Sequence, residues 1–95
     1  MRKITIVRPK KFVGKVMTCR VLVDNREAAA VKDNETVTFE IPDGVCKIKV
    51  VGSPLDRQDY YESDIVSISE SEGDCSFTLI IKMGVRLKLY LERMK

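Results

Sequence analysis

A chain of 95 residues, 44% hydrophobic and 33% charged, suffices for one compact domain over residues 1–95 and leaves too little for a second core. No apolar run approaches the roughly 20 residues of a membrane-spanning helix, and the absence of histidine removes the usual general base near neutral pH and the commonest transition-metal ligand. The net charge of +3 is spread unevenly, at +7 over residues 1–20, −8 over 21–74 and +4 over 75–95, so a basic surface could meet an anionic partner.

The chain opens MRKITIVRPKK, whose ITIV between basic flanks is too short for a signal-peptide core of about 7–15 residues. A cytoplasmic protein is expected, unless the chain is a fragment of a larger surface protein. KITIV alternates as a first strand. RPKKFVGK follows, with Arg8, Lys10, Lys11 and Lys15 around Phe12. Joined by Arg86 and Lys88 near the other end, these residues are a candidate basic patch for nucleic acid or an anionic lipid surface. Few aromatics are interleaved for base stacking, and lysines also guard edge strands with no ligand involved.

In MTCRVLVD, residues Met17, Cys19, Val21 and Val23 share one parity and Thr18, Arg20 and Asp24 the other, as a strand with one wet face requires. Asp24-Asn25 then offers a tight hairpin corner, since Asn tolerates positive φ. REAAAVK is ambiguous: alanine favours helix and the flanking corners favour a hairpin. It is assigned as an edge strand. Asp33-Asn34 forms a second corner, ETVTFEI a strand with Val37, Phe39 and Ile41 inward, and Pro42-Asp43-Gly44 a third corner before VCKIKV. These clustered acids look at first like metal ligands. Calcium loops, however, place oxygen ligands at close alternate spacing, and none of the corners does so. They read as turn chemistry, with no metal or cofactor.

GSPLDRQDYYESD, residues 52–64, is the longest stretch without strand pattern. Long loops on a β scaffold often carry binding residues, and tyrosine gives contact area at low entropic cost. Arg57, Tyr60 and Tyr61 are therefore candidate partner contacts; the plainer reading is a solvated connection with one tyrosine tucked over a sheet end. DIVSIS with Val66 and Ile68 inward, CSFTLIIK with Phe77, Leu79 and Ile81, and VRLKLYLE with Val85, Leu87, Leu89 and Leu91 complete the alternating runs. About seven or eight short, mainly antiparallel strands separated by turn signals predict an all-β, single-domain β-sandwich.

The three cysteines, Cys19, Cys46 and Cys75, form no CxxC spacing, and each shares parity with core positions, which predicts quiet buried thiols. Catalysis finds little support: there is no Gly-rich phosphate loop and no GxSxG, and a carboxylate pair such as Glu62 and Asp64 would need a deep apolar pocket to separate its pKa values. No catalytic residue is assigned.

The stretch from Cys19 to Gly52, CRVLVDNREAAAVKDNETVTFEIPDGVCKIKVVG, resembles PEGA-type and related carboxypeptidase-regulatory-like modules. These are small bacterial β-sandwiches with a V-x-V-D-G hairpin, a spacer, then P-x-G-x-x-x-I-x-V. Val21, Val23, Asp24, Pro42, Gly44, Ile48 and Val50 fit the pattern. Asn25 replaces the usual glycine, Val45 and Cys46 stand where such modules often have histidine, and the namesake motif is missing. The resemblance implies a non-enzymatic accessory or protein-interaction module and transfers no site residues.

Overall fold

The computed structural model describes residues 1–10, 18–53, 61–83 and 87–94. Among these residues nine strands build two facing sheets. They are β1 (Arg2–Arg8), β2 (Thr18–Val23), β3 (Arg26–Val31), β4 (Glu35–Ile41), β5 (Cys46–Ser53), β6 (Tyr61–Glu62), β7 (Val66–Ile68), β8 (Cys75–Met83) and β9 (Leu87–Arg93). One sheet has the order β4-β1-β8-β9. The other has β3-β2-β5-β6, with β7 also paired to β5. Every pairing is antiparallel except β1 with β8. Among the described residues no helix is long and apolar enough to cross a membrane.

Period-2 alternation decides which side chains meet. Ile4 and Ile6 of β1, Cys19 and Val21 of β2, Ile48 and Val50 of β5, and Phe77 and Leu79 of β8 are all at most 1% exposed and form the layer between the sheets. Phe77 is the largest of the fully buried side chains. REAAAV is indeed an edge strand, its pairing with β2 interrupted by a register shift between Val21 and Leu22. Alanine's helix propensity yields here to the hairpin on one side and the ladder on the other.

The acidic corners turn the chain in two different ways. Asp24 (φ 50°) and Asn25 (φ 68°) are the central residues of a two-residue hairpin between Val23 and Arg26, the left-handed pair a type I′ turn demands. Asp24 also binds β5, its amide donating to Lys47 O (2.9 Å) and its Oδ1 accepting from Lys47 N (3.0 Å). The other two corners are not hairpins, because they carry the chain between sheets. Asn34 (φ 58°) lies at the third position of a turn closed by Glu35 N donating to Lys32 O (3.1 Å), and Gly44 (φ 126°) sits between β4 and β5.

The segment 52–64 is less of a loop than its sequence suggests. Gly52 and Ser53 end β5, and Tyr61 and Glu62 form β6 on its far edge. Ser63 and the residues after it interrupt that edge before β7 resumes it. The buried Ser63 keeps the ladder satisfied: its amide donates to Val50 O and its Oγ accepts from Val50 N, both at 2.8 Å. Ser63 also bridges Leu89 of the opposite sheet, joining the two layers along that side.

Replacing Asn25 by valine forces a β-branched residue into the left-handed region and is expected to cost about 1–2 kcal/mol, whereas Asn25→Gly should match or slightly exceed the parent. Urea unfolding midpoints at unchanged m value check both.

Candidate interaction site

The inward positions of β1 read Arg2, Ile4, Ile6, Arg8, so the strand that feeds the core with isoleucine also carries a guanidinium at each end. Both arginines are buried, at 6% and 2% exposure. Arg2 Nη1 donates to Ser69 O (2.6 Å) and Glu72 O (3.1 Å). Its Nη2 donates to Pro42 O (3.0 Å) and Gly44 O and lies 3.8 Å from Cys46 Sγ, while Nε, also buried, has no partner. Carbonyl dipoles from the β4–β5 corner and the β7–β8 turn thus surround the positive charge where a carboxylate would ordinarily stand. At the opposite end Arg8 Nη1 donates to Val31 O of β3 at 2.8 Å. Each arginine ties the four-stranded sheet to backbone that belongs to, or leads into, the other sheet.

Arg2's turn is held from outside as well. Glu72 Oε2 accepts from Ser69 N (2.8 Å), and Oε1 accepts from Arg93, whose guanidinium lies 5.4 Å from the Phe77 ring centroid. The Ser69 amide first, and then Arg93, hold the Glu72 carboxyl below its usual range.

The residues singled out from sequence fall in several places. Arg8 points into the protein and is absent from any exposed basic face. Lys10 and Lys88 are exposed and lie at one end of the four-stranded sheet, where Lys88 stands directly opposite Lys82. Lys11, Lys15 and Arg86, like Arg57 and Tyr60, lie outside the described residues. Tyr61 is half-buried and packs against the core. Glu62 is exposed and bonded to Lys49 at 3.2 Å, and Asp64 is exposed too, so this pair shares no deep apolar pocket.

The cysteines separate. Cys19 and Cys46 are buried, and burial pushes the Cys19 thiol up in pKa against the opposing pull of Arg8. Cys75 is only half-buried, contrary to its expected core position. Its parity is inward, but it is the first residue of β8 and sits at the rim of the sandwich, its Sγ 3.5 Å from Gly73 O.

The two outer faces differ in chemistry. On the β3-β2-β5-β6 sheet, outward residues are laced by ion pairs, Arg20–Glu27 at 3.4 Å and Lys49–Glu62 at 3.2 Å. On the other sheet, Thr36 and Thr38 of β4, Thr5 and Val7 of β1, and Ser76, Thr78 and Ile80 of β8 share the outer side, register with register. Thr5 and Thr38 are hydrogen-bonded through their hydroxyls at 3.1 Å. Three adjacent strands therefore present a band without charge, bounded by Lys3 and Glu40 at one end, by Lys82 and Lys88 at the other, and by Glu92 of β9 opposite Thr78. Sequence reading passed over this band because it treated outward residues merely as the wet half of each strand; the threonines and Ile80 were already written there.

Comparisons with family models, curated proteins and solved structures return no match.

Substituting Arg2 by methionine keeps much of the stem but strips four part-buried carbonyls of their donor, so a loss on the order of 3 kcal/mol in unfolding free energy is expected. Arg2→Lys should restore only part of it, because an ammonium cannot fork toward both turns. As a control, Arg20→Ala on the exposed face should stay within about 0.5 kcal/mol of the parent.

Proposed function

We propose that this domain is a non-catalytic protein-interaction module whose contact surface is the outer face of the β4-β1-β8-β9 sheet. The observation that carries this reading is the uncharged threonine, valine and isoleucine band in a chain that is 33% charged. Interface centres are depleted of charge and ringed by polar groups, and the lysines and glutamate at the two ends of the band form such a rim. Threonine, valine and isoleucine are stiff at χ1, so ordering them against a partner costs little entropy. The PEGA-like pattern of corners and alternation in residues 19–52 supports an accessory role.

A second reading has its own observation. Lys82 and Lys88 face each other across β8 and β9, an arrangement that repels, and Lys10 leaves β1 toward the same end of the sheet. Binding of nucleic acid or anionic lipid there would relieve the repulsion. That reading requires retention on a polyanion matrix that falls steeply with salt.

A photo-crosslinking residue placed at Thr78 is expected to form adducts with another protein from the source cell, and Thr5→Glu at the neighbouring position should abolish them. The same probe at Lys47 on the opposite face should give none. Equal adducts from both faces, or none from Thr78, would contradict the proposal, and salt-sensitive polyanion retention without adducts would favour the second reading.

A further inference from the structure

A sandwich with open sheets has edges, and each edge is a row of backbone donors and acceptors that can template another strand unless something blunts it. Among the described residues, three of the four edges are blunted. The β3 edge is kinked by the register shift between Val21 and Leu22. The edge formed by β6 and β7 consists of strands of two and three residues interrupted at Ser63. The β9 edge is met by Ser63 at Leu89.

The fourth is not. β4 runs seven residues, ETVTFEI, in unbroken register with β1 from Arg2↔Ile41 to Arg8↔Glu35. It contains no proline, no lysine and no bulge, and among the described residues no strand pairs with its outer side. Its inward residues Val37 and Phe39 remain only half-buried, as expected of a core left open along that side.

We propose that this edge pairs antiparallel with β4 of a second copy of the chain, about a twofold axis through Thr38. The sequence of the strand selects this occupant and register. Parity must be conserved, since an axis between residues would set Val37 against Thr38 and turn an apolar side chain to the wet face. Of the axes through a residue, the one at Thr38 alone engages all seven positions. It places Val37 against Phe39 of the second copy, an aromatic against a β-branched side chain, and Thr38 against itself. Glu35 then faces Ile41 and Glu40 faces Thr36, so no two carboxylates stand directly opposite. An axis at Glu40 would set Glu40 against itself. One at Phe39 would bring Pro42 opposite Thr36, where proline has no N–H to offer. The interface is isologous, as twofold symmetry requires, and it fuses the two four-stranded sheets into one. It stands whether or not the outer face of that sheet takes a partner.

Sedimentation velocity of the full chain over a concentration series is expected to resolve a species of twice the chain mass. Thr38→Lys, at an exposed position, should leave the far-ultraviolet signal of the folded chain unchanged but set two ammonium groups face to face, raising the dimer dissociation constant about tenfold or more. Thr38→Cys should form a reducible dimer on mild oxidation, since directly opposed Cβ atoms lie about 4.5–5.5 Å apart, and Thr36→Cys should not. A single-chain mass at every concentration overturns the proposal. So does a dimer that Thr38→Lys leaves intact, or one that Thr36→Cys crosslinks as readily as Thr38→Cys.

Discussion

The fold depends on a buried positive charge held by backbone carbonyls. Arg2 lies at the start of β1, next to β8 and β4 in one sheet, yet its guanidinium bonds the two connectors that lead into and out of the other sheet's strands. Burying a guanidinium is unfavourable unless its protons find acceptors, and these acceptors exist only when both turns are closed. The interaction therefore couples events far apart in sequence. The corner at Pro42–Gly44, the turn at Ser69–Glu72 and the first strand form together or leave a desolvated charge. Arg8 does the corresponding work at the opposite end through Val31 O. Between them Ile4 and Ile6 supply the apolar contact.

Much of the architecture was legible because strand side chains alternate. The runs around Val21, Val37, Ile48, Phe77 and Leu89 gave away their inward faces, and the Asp24-Asn25 hairpin could be read from the two residue types that, besides glycine, most readily accept positive φ. Partnership across the sandwich was not legible. Arg2 and Arg8 share parity with Ile4 and Ile6 in RKITIVR, which was the available signal, but charge grouped Arg8 with the neighbouring lysines instead. The acceptors of Arg2 are main-chain atoms of residues 40 to 70 positions away, and main-chain atoms leave no mark in a sequence. Cys75 misled for a related reason: parity reports which way a side chain points, and depth depends on where the strand lies relative to the end of the sandwich. β6 escaped notice because two residues are too few to show a period.

The same alternation that buries one half of each strand leaves the other half free to differ between sheets. Ion pairs occupy the outer side of the β3-β2-β5-β6 sheet, and hydroxyls and branched aliphatics that of the β4-β1-β8-β9 sheet. The unblunted β4 edge belongs to the sheet that carries the uncharged band, so its proposed face and its proposed edge adjoin, and Thr36 and Thr38 belong to both.

The coupling role given to Arg2 can be observed directly in the native protein by nitrogen-15 magnetic resonance of the arginine guanidinium groups. Protons locked onto carbonyl oxygens should appear as separate, slowly exchanging Nη–H signals for Arg2, in contrast to averaged, rapidly exchanging signals from the exposed Arg20 and Arg26. Averaged and fast-exchanging Nη protons at Arg2 in a folded sample would contradict the account.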